Sequence, residues 1–239
     1  MSEGLEFALR NLPNFLIGFP GNRPGGLLMS LILTVVGIGA GFLVAVPLAA
    51  ALSGRRVARV AATAYVRVMS GVPLILLLLI VHQLLGGARL FGLSTTLTST
   101  FVTLALYSGA YQGDIVATGF RSVPPGIVED ARLLGSSRRQ VFWLVRLPYS
   151  VRVMQPALAG QAITLFKDSS VVIVLGVADL TTTARIALGS DVTNAPFWVA
   201  TYLTVGAIYF VVAFTMSRVA RHRELSRRDA SLGVLAQHA

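Results

Sequence analysis

The sequence predicts an all-α, polytopic membrane protein with five membrane-crossing helices, and three observations predict it. Apolar residues make up 54% of the chain and charged residues 13%, and mean hydropathy is strongly positive, a balance foreign to soluble domains. Stretches at about 26–52, 65–86, 92–120, 150–178 and 193–218 carry little or no charge. Each reaches or approaches the roughly 20 residues that a helix rising ~1.5 Å per residue needs to cross a ~30 Å hydrocarbon core. The arginines, finally, are sorted between alternate loops.

Residues 1–25 read as an interfacial segment. Leu5, Leu9, Leu12, Phe15, Leu16 and Phe19 recur at roughly helical spacing and Pro13 interrupts them, which gives a helix and loop on the membrane surface, with a disordered tail as the alternative. The first span, 26–52, begins too late and runs too long for a signal peptide, so it stays as an anchor. Gly37 and Gly41 within it form a small-xxx-small pair of the kind that marks close helix packing. In the second span, 65–86, His82 is a lone histidine on an apolar helix, a packing or hydrogen-bonding residue with no second histidine near enough to suggest a metal.

The third span, 92–120, is stopped by Pro124-Pro125-Gly126, and a new helical stretch runs from about Ile127, because proline cannot extend a helix but starts one well. The fourth, 150–178, is interrupted by Lys167 and Asp168 and weakened by Pro156 and Gly160. Topology retains it. Both 121–152 and 218–228 are arginine-rich, so an even number of crossings separates them, and the fourth and fifth spans must both cross. Trp143 and Trp198 fit interface anchoring. Residues 26–220 thus form the transmembrane domain and 221–239 a basic tail.

Orientation follows from the same arginines. Arg55, Arg56, Arg59 and Arg67 follow the first span, Arg121, Arg132, Arg138, Arg139, Arg146 and Arg152 the third, and Arg218, Arg221, Arg223, Arg227 and Arg228 the fifth. The opposite loops hold only Arg10, Arg23, Arg89 and Arg185. Cytoplasmic loops retain Lys and Arg, which puts the N-terminus outside and the C-terminus inside. The net charge of +10 is accounted for by these loops, so no nucleic-acid partner is expected.

Between the third and fourth spans lies a polar segment, Glu129-Asp130-Ala131-Arg132-Leu133-Leu134-Gly135, then Ser136-Ser137-Arg138-Arg139-Gln140, closing at Leu147-Pro148. Gly135 permits a turn or close approach where a side chain would collide. A short helix, a glycine turn and a second basic helix make a knob that another protein can grip, or else an ordinary amphipathic surface helix whose arginines face lipid phosphates.

The Glu-Asp-Ala-Arg run, the glycine six positions after the glutamate and the closing Leu-Pro resemble the cytoplasmic EAA loop of bacterial ABC importer permeases. Tyr65-Val66-Arg67, Gly71-Val72-Pro73-Leu74, Ser108-Gly109-Ala110-Tyr111, Ser122-Val123-Pro124, Phe166-Lys167-Asp168-Ser169-Ser170 and Leu175-Gly176-Val177-Ala178-Asp179-Leu180 are similar to the polar amino acid uptake permeases. The resemblance covers most of residues 26 to 220. It implies a multi-pass subunit of the bacterial inner membrane that translocates a polar amino acid delivered by an extracytoplasmic binding protein and works as a homodimer or with a second permease subunit. The loop between the third and fourth spans would supply EAA-type coupling helices that dock into a cytoplasmic nucleotide-binding ATPase.

On that resemblance Glu129 and Gly135 carry the coupling, with Asp130 beside them and Ala131, Leu134, Arg138 and Arg139 lining the docked surface. Asp130 stands where alanine is usual, Ala117 where an arginine is common and Ile127 where glutamine is frequent. The chain itself offers no ATP site: a P-loop needs Gly-Lys-Ser/Thr, and the single lysine, Lys167, follows Phe166. No cofactor is expected on this chain, ATP and Mg belonging to the partner. Nor does it carry a Ser/His/Asp set, metal-ligand cluster or paired glutamates, so it is read as no enzyme. An absence of cysteine leaves redox compartment undecided.

Lys167 and Asp168 lie about 15 residues beyond Arg152, or ~22 Å along a straight helix. Ionised groups at that depth cost a few kcal/mol or more unless they face a cavity or partner. Lys167, Asp168, Ser169 and Ser170 therefore either line a pathway for a zwitterionic amino acid or hold helices together. Adjacent helical residues point about 100° apart, so Lys167 and Asp168 cannot both face one pore. Asp114, beside Tyr111, is a gate or pathway group or a structural carboxylate near the interface. Outside the resemblance, an ion-gradient-driven transporter or channel is the alternative, which would leave transport indifferent to Glu129 and Gly135; an intramembrane enzyme comes last.

Overall fold

The computed structural model describes residues 2–20, 24–87, 89–90 and 92–236, with side chains from Glu3 to Glu224. Arg23 and the side chains of Arg227 and Arg228 lie outside the described residues. In chain order the described residues form α1 (Ser2–Arg10), α2 (Leu12–Ile17), α3 (Gly26–Leu52), α4 (Arg56–Gly71), α5 (Leu74–Leu84), α6 (Thr95–Arg121) and α7 (Pro125–Leu133). Then α8 (Arg138–Gln140) passes through a π-helical stretch, Val141–Arg146, into α9 (Leu147–Val153). Next, α10 (Gln155–Asp168) continues as a 3-10 stretch, Ser169–Leu175, before α11 (Leu180–Gly189), a 3-10 stretch at Val192–Phe197 and the long α12 (Trp198–Ala236). No strand forms among the described residues, in keeping with the all-α expectation.

By length and composition Gly26–Leu52, Gln155–Leu175 and Val192–Glu224 can each cross a membrane, and α4 with α5 makes a fourth span if the pair, bent by 111°, counts as one. The stretch 65–86 is therefore not the single straight helix expected of it. Val72 N–H still bonds back to the Val68 carbonyl at 3.1 Å, but Pro73 has no N–H to continue the ladder, so the chain turns there and α5 starts afresh.

Helix α6, 27 residues and so ~40 Å long, is less apolar than these spans and rich in hydroxyls. Several of these are satisfied within the helix. Thr100 donates to the Thr96 carbonyl at 2.8 Å and Thr103 to that of Ser99 at 2.7 Å, so burying them leaves no free donor. Small residues let α3 and α6 come close enough to pack as the pair at the centre of the fold. A Cβ on Gly41 would lie 3.0 Å from the Gly109 nitrogen, and one on Gly113 2.7 Å from Leu48. Gln112 bridges the seam, its Nε2 donating to the Ile38 carbonyl at 3.1 Å and to Ser108 Oγ at 2.7 Å. In a bilayer such contact and hydrogen bonding, rather than escape from water, hold helices together. Met29, Leu33, Leu74, Leu78, Leu104, Leu165, Val172 and Val177 close the main apolar core.

The N-terminal segment forms helices that split its apolar residues between an exposed and a buried side. Leu5 and Leu9 are 53% and 56% exposed, whereas Ala8 and Phe15 are fully buried. Phe15 packs with Leu180, Ala184, Ala187 and Val205, and Phe7 lies 5.3 Å from the Phe197 ring. Tertiary packing against α11 and α12, absent from any local pattern, chose the register.

A buried polar knot ties α3, α11 and α12. Asp179 caps α11, accepting from Thr182 N–H at 2.8 Å and Thr181 N–H at 3.2 Å, and accepts from Tyr209 Oη at 3.2 Å. Ser30 Oγ accepts from Leu180 N–H at 3.2 Å and lies 3.4 Å from the same tyrosine oxygen. Burial pushes the Asp179 carboxyl above the usual carboxylate range, against the lowering effect of these donors.

Candidate functional site

The polar segment after α6 is built from local sequence signals. Pro124 sits at the N-cap of α7 and Pro125 in its first turn, where a missing N–H costs nothing. At the other end Gly135 N–H bonds to the Arg132 carbonyl at 2.9 Å and Ser136 N–H to that of Ala131 at 3.0 Å, with Gly135 at φ 83°. This paired set is a Schellman turn, whose left-handed position favours glycine. A Cβ there would meet nothing within 4 Å. Gly135 is thus required by backbone conformation and not by crowding within this chain.

Two residues later the chain re-enters helix through a capping box, Ser137 Oγ accepting from Gln140 N–H at 3.3 Å and Gln140 Oε1 from Ser137 N–H at 2.8 Å. Ser137 and Gln140 stand outside the residues expected for this site, although Ser-x-x-Gln is a readable cap signal.

Beneath, Val123, Val128 and Val141 form a small core with Ala131, Val145 and Tyr149, so α7 lies on the π-helical stretch. Ala131 points into that core, half-buried, rather than out of the surface. Outward face Glu129, Asp130, Arg138 and Arg139, all exposed, and no described residue ion-pairs with Glu129 or Asp130. Leu133 and Leu134 are 86% and 87% exposed, with Leu144 at 73% nearby in sequence. The result is an apolar crest ringed by charge, on a base held by its own core.

The groups expected along a pathway divide. Asp168, half-buried, accepts from Tyr107 Oη at 3.5 Å, and the Tyr107 and Tyr111 rings lie 5.0 Å apart. Asp114 continues the same face of α6, since Tyr107, Tyr111 and Asp114 fall at i, i+4 and i+7; it is exposed. Lys167 is exposed on another side of α10, Ser169 is buried and donates to the Phe166 carbonyl at 2.7 Å, and Ser170 is half-buried. Asp168, Tyr107 and Tyr111 are brought together, and Lys167 and Ser169 are not part of their group. Tyr107, a neighbour of Asp114 in the sequence reading, joins the group through its i, i+4 spacing to Tyr111. Away from this group His82 Nδ1 lies 2.9 Å from Ser99 Oγ, and Ala117 is 1% exposed in a core with Phe120 and Leu147.

Residues 37–224 match the model of the family described as binding-protein-dependent transport system inner membrane component. Over 212 residues the chain is 33% identical to the glutamate/aspartate import permease protein GltK of Escherichia coli O6:H1, covering 86% of this chain and 92% of that protein. It is 28% identical over 201 residues to the glutamine transport system permease protein GlnP of Escherichia coli (strain K12), covering 84% and 92%. Among solved structures it is similar to a chain of an amino acid ABC transporter crystallised with histidines, at TM-score 0.70 and 30% identity over 84% of this chain and 92% of that one. It shares its fold with a chain of the MetNI methionine ABC transporter in an inward-facing conformation, at TM-score 0.61 and 20% identity over 81% and 92%.

Proposed function

The chain belongs to the family of binding-protein-dependent transport system inner membrane components, and from that membership we propose that it translocates a polar amino acid through the membrane for an ATP-driven importer. As a family member it is a multi-pass permease subunit of the inner membrane and not itself an enzyme. The amino-acid assignment draws on relatives named for glutamate/aspartate and glutamine transport.

The observation that carries the coupling reading is the exposed crest of Leu133 and Leu134 beside Gly135. Largely exposed leucines on a well-packed base are suited to a partner's groove, and the open space around Gly135 is where a partner surface would close in. In this reading α7 and α8 dock into a cytoplasmic ATPase, which binds ATP and Mg, with Glu129, Asp130, Arg138 and Arg139 at the rim and Ala131 as support beneath. Five crossings are supplied by α3, the bent α4–α5 pair, α6, Gln155–Leu175 and Val192–Glu224, with the N-terminus outside and the basic end of α12 in the cytoplasm.

The face of α6 bearing Tyr107, Tyr111 and Asp114, joined by Asp168, is the pathway wall. It completes a pathway only against a second permease subunit, identical or homologous, with substrate handed over by an extracytoplasmic binding protein. Lys167 and Ser170 stand at its margin. The deciding experiment reconstitutes the chain with its ATPase subunit in nanodiscs and follows ATP hydrolysis with and without the binding protein. Gly135→Arg should abolish complex formation while the chain still folds; an intact, stimulated complex would refute the coupling role.

A further inference from the structure

A second concavity lies away from the pathway wall. It has a volume of about 1050 Å³ and opens between the 152–159 stretch of α9 and α10 and the 215–224 stretch of α12. That is just above the range for small-molecule sites, roughly 300–1,000 Å³. Its walls are apolar, Pro156 and Ala159 facing Val219 and Ala220, and its basic groups are Arg152 and Arg223. Arg152 precedes the span of α10 and Arg223 ends that of α12. Successive spans run antiparallel, so both guanidiniums sit at one end, where hydrocarbon gives way to headgroups. Glu224 also lines this end, leaving one positive charge in excess.

We infer that this cleft binds an anionic phospholipid, acyl chains along the Pro156, Ala159, Val219 and Ala220 walls and phosphate held by Arg152 and Arg223. Guanidinium is the side chain suited to phosphate, presenting paired N–H groups to its oxygens. Basic pockets between helices at the membrane boundary recruit acidic headgroups. A second copy of this chain fits less well. A two-fold contact here would bring two such clefts together, four arginines against two glutamates, an excess of like charge. The inference rests on α10 and α12 crossing the bilayer and is independent of the pathway and coupling readings.

The test uses the full chain purified alone and native mass spectrometry after exposure to equal phosphatidylglycerol and phosphatidylethanolamine. Phosphatidylglycerol should be retained about fivefold over phosphatidylethanolamine, the preference one net basic charge supplies, and the double variant Arg152→Gln/Arg223→Gln should show none. Glycerol phosphate, lacking acyl chains, should not be retained. Because the chain has no cysteine, Ala159→Cys offers a single thiol, which phosphatidylglycerol and not phosphatidylethanolamine should shield from a bilayer-soluble maleimide. Equal retention of the two lipids, undiminished preference in the double variant, or an unshielded thiol overturns the inference. So does a disulfide between two Ala159→Cys chains, which would assign the cleft to a second copy.

Discussion

Tyr209 on α12 donates to Asp179, the N-cap of α11, across 3.2 Å, and this bond joins the last long helix to the short helix that packs against the N-terminal segment. Asp179 serves two elements at once. Replacing it by alanine removes a helix cap and a partner of Tyr209, and should cost about 2 kcal/mol. The Asp179→Asn variant keeps a capping oxygen and should lose less than half of that. Thermal unfolding of both variants in detergent checks the ranking.

The same carboxyl sets a pH trend. Its folded pKa is raised by burial above the ordinary value of 3.8, so the folded state holds the proton more tightly than the unfolded chain does. Its contribution is full below the ordinary value and is lost as pH rises through the raised one. Between about pH 4 and neutrality the wild-type chain should lose stability relative to Asp179→Asn; parallel melting curves for the two proteins would contradict this.

The seam between α3 and α6 predicts a contrast between neighbouring glycines. Gly41→Val must place its Cβ against the Gly109 backbone and should cost about 1–3 kcal/mol through overpacking. At Gly39 a Cβ meets nothing within 4 Å, so Gly39→Val should melt near the wild-type temperature. Equal losses at both positions would mean that helix propensity, not close approach, governs the seam.

Leu134→Ser tests the crest without disturbing its base. At 87% exposure the substitution should move stability by no more than about 0.5 kcal/mol. Coupled ATP hydrolysis in the reconstituted complex should nonetheless fall about tenfold, the equivalent of ~1.4 kcal/mol for one well-seated apolar contact.

Asp168 and Tyr107 should behave as a unit. Asp168→Asn and Tyr107→Phe are each expected to cut amino-acid uptake by about tenfold, and the double variant should be little worse than either single one, because both remove one interaction. Lys167→Met, on another side of the helix, should combine additively with Asp168→Asn. Uptake into proteoliposomes, normalised to assembled complex, separates these outcomes.

What could be read from sequence was whatever local chemistry decides. Pro124-Pro125 started α7, Gly135 ended it, and Gly37 and Gly41 marked a close contact, each because backbone geometry leaves few choices. What depended on distant partners was not legible. Leu5, Leu9 and Phe15 shared one apolar pattern, but only Phe15 is buried, against Leu180 and Val205. Pro73 was visible, yet nothing local said that α5 would turn by 111° instead of kinking. Helix α6 was legible as the third span, but not that its Thr100 and Thr103 hydroxyls bond to carbonyls one turn back. For the candidate site, the turn and the exposed charges were readable; the inward face of Ala131 and the pairing of Tyr107 with Asp168 needed the third dimension.

From Arg138 to Leu175 the backbone leaves helical geometry only at Met154. The elbow made by Gly135 and the Ser137–Gln140 cap is thus the near end of a stiff rod with one joint, and Asp168 rides on its far half. Slack is what a flexible linker would put between those points. Under the proposed coupling role, a displacement of the elbow would therefore reach Asp168 chiefly through bending at Met154.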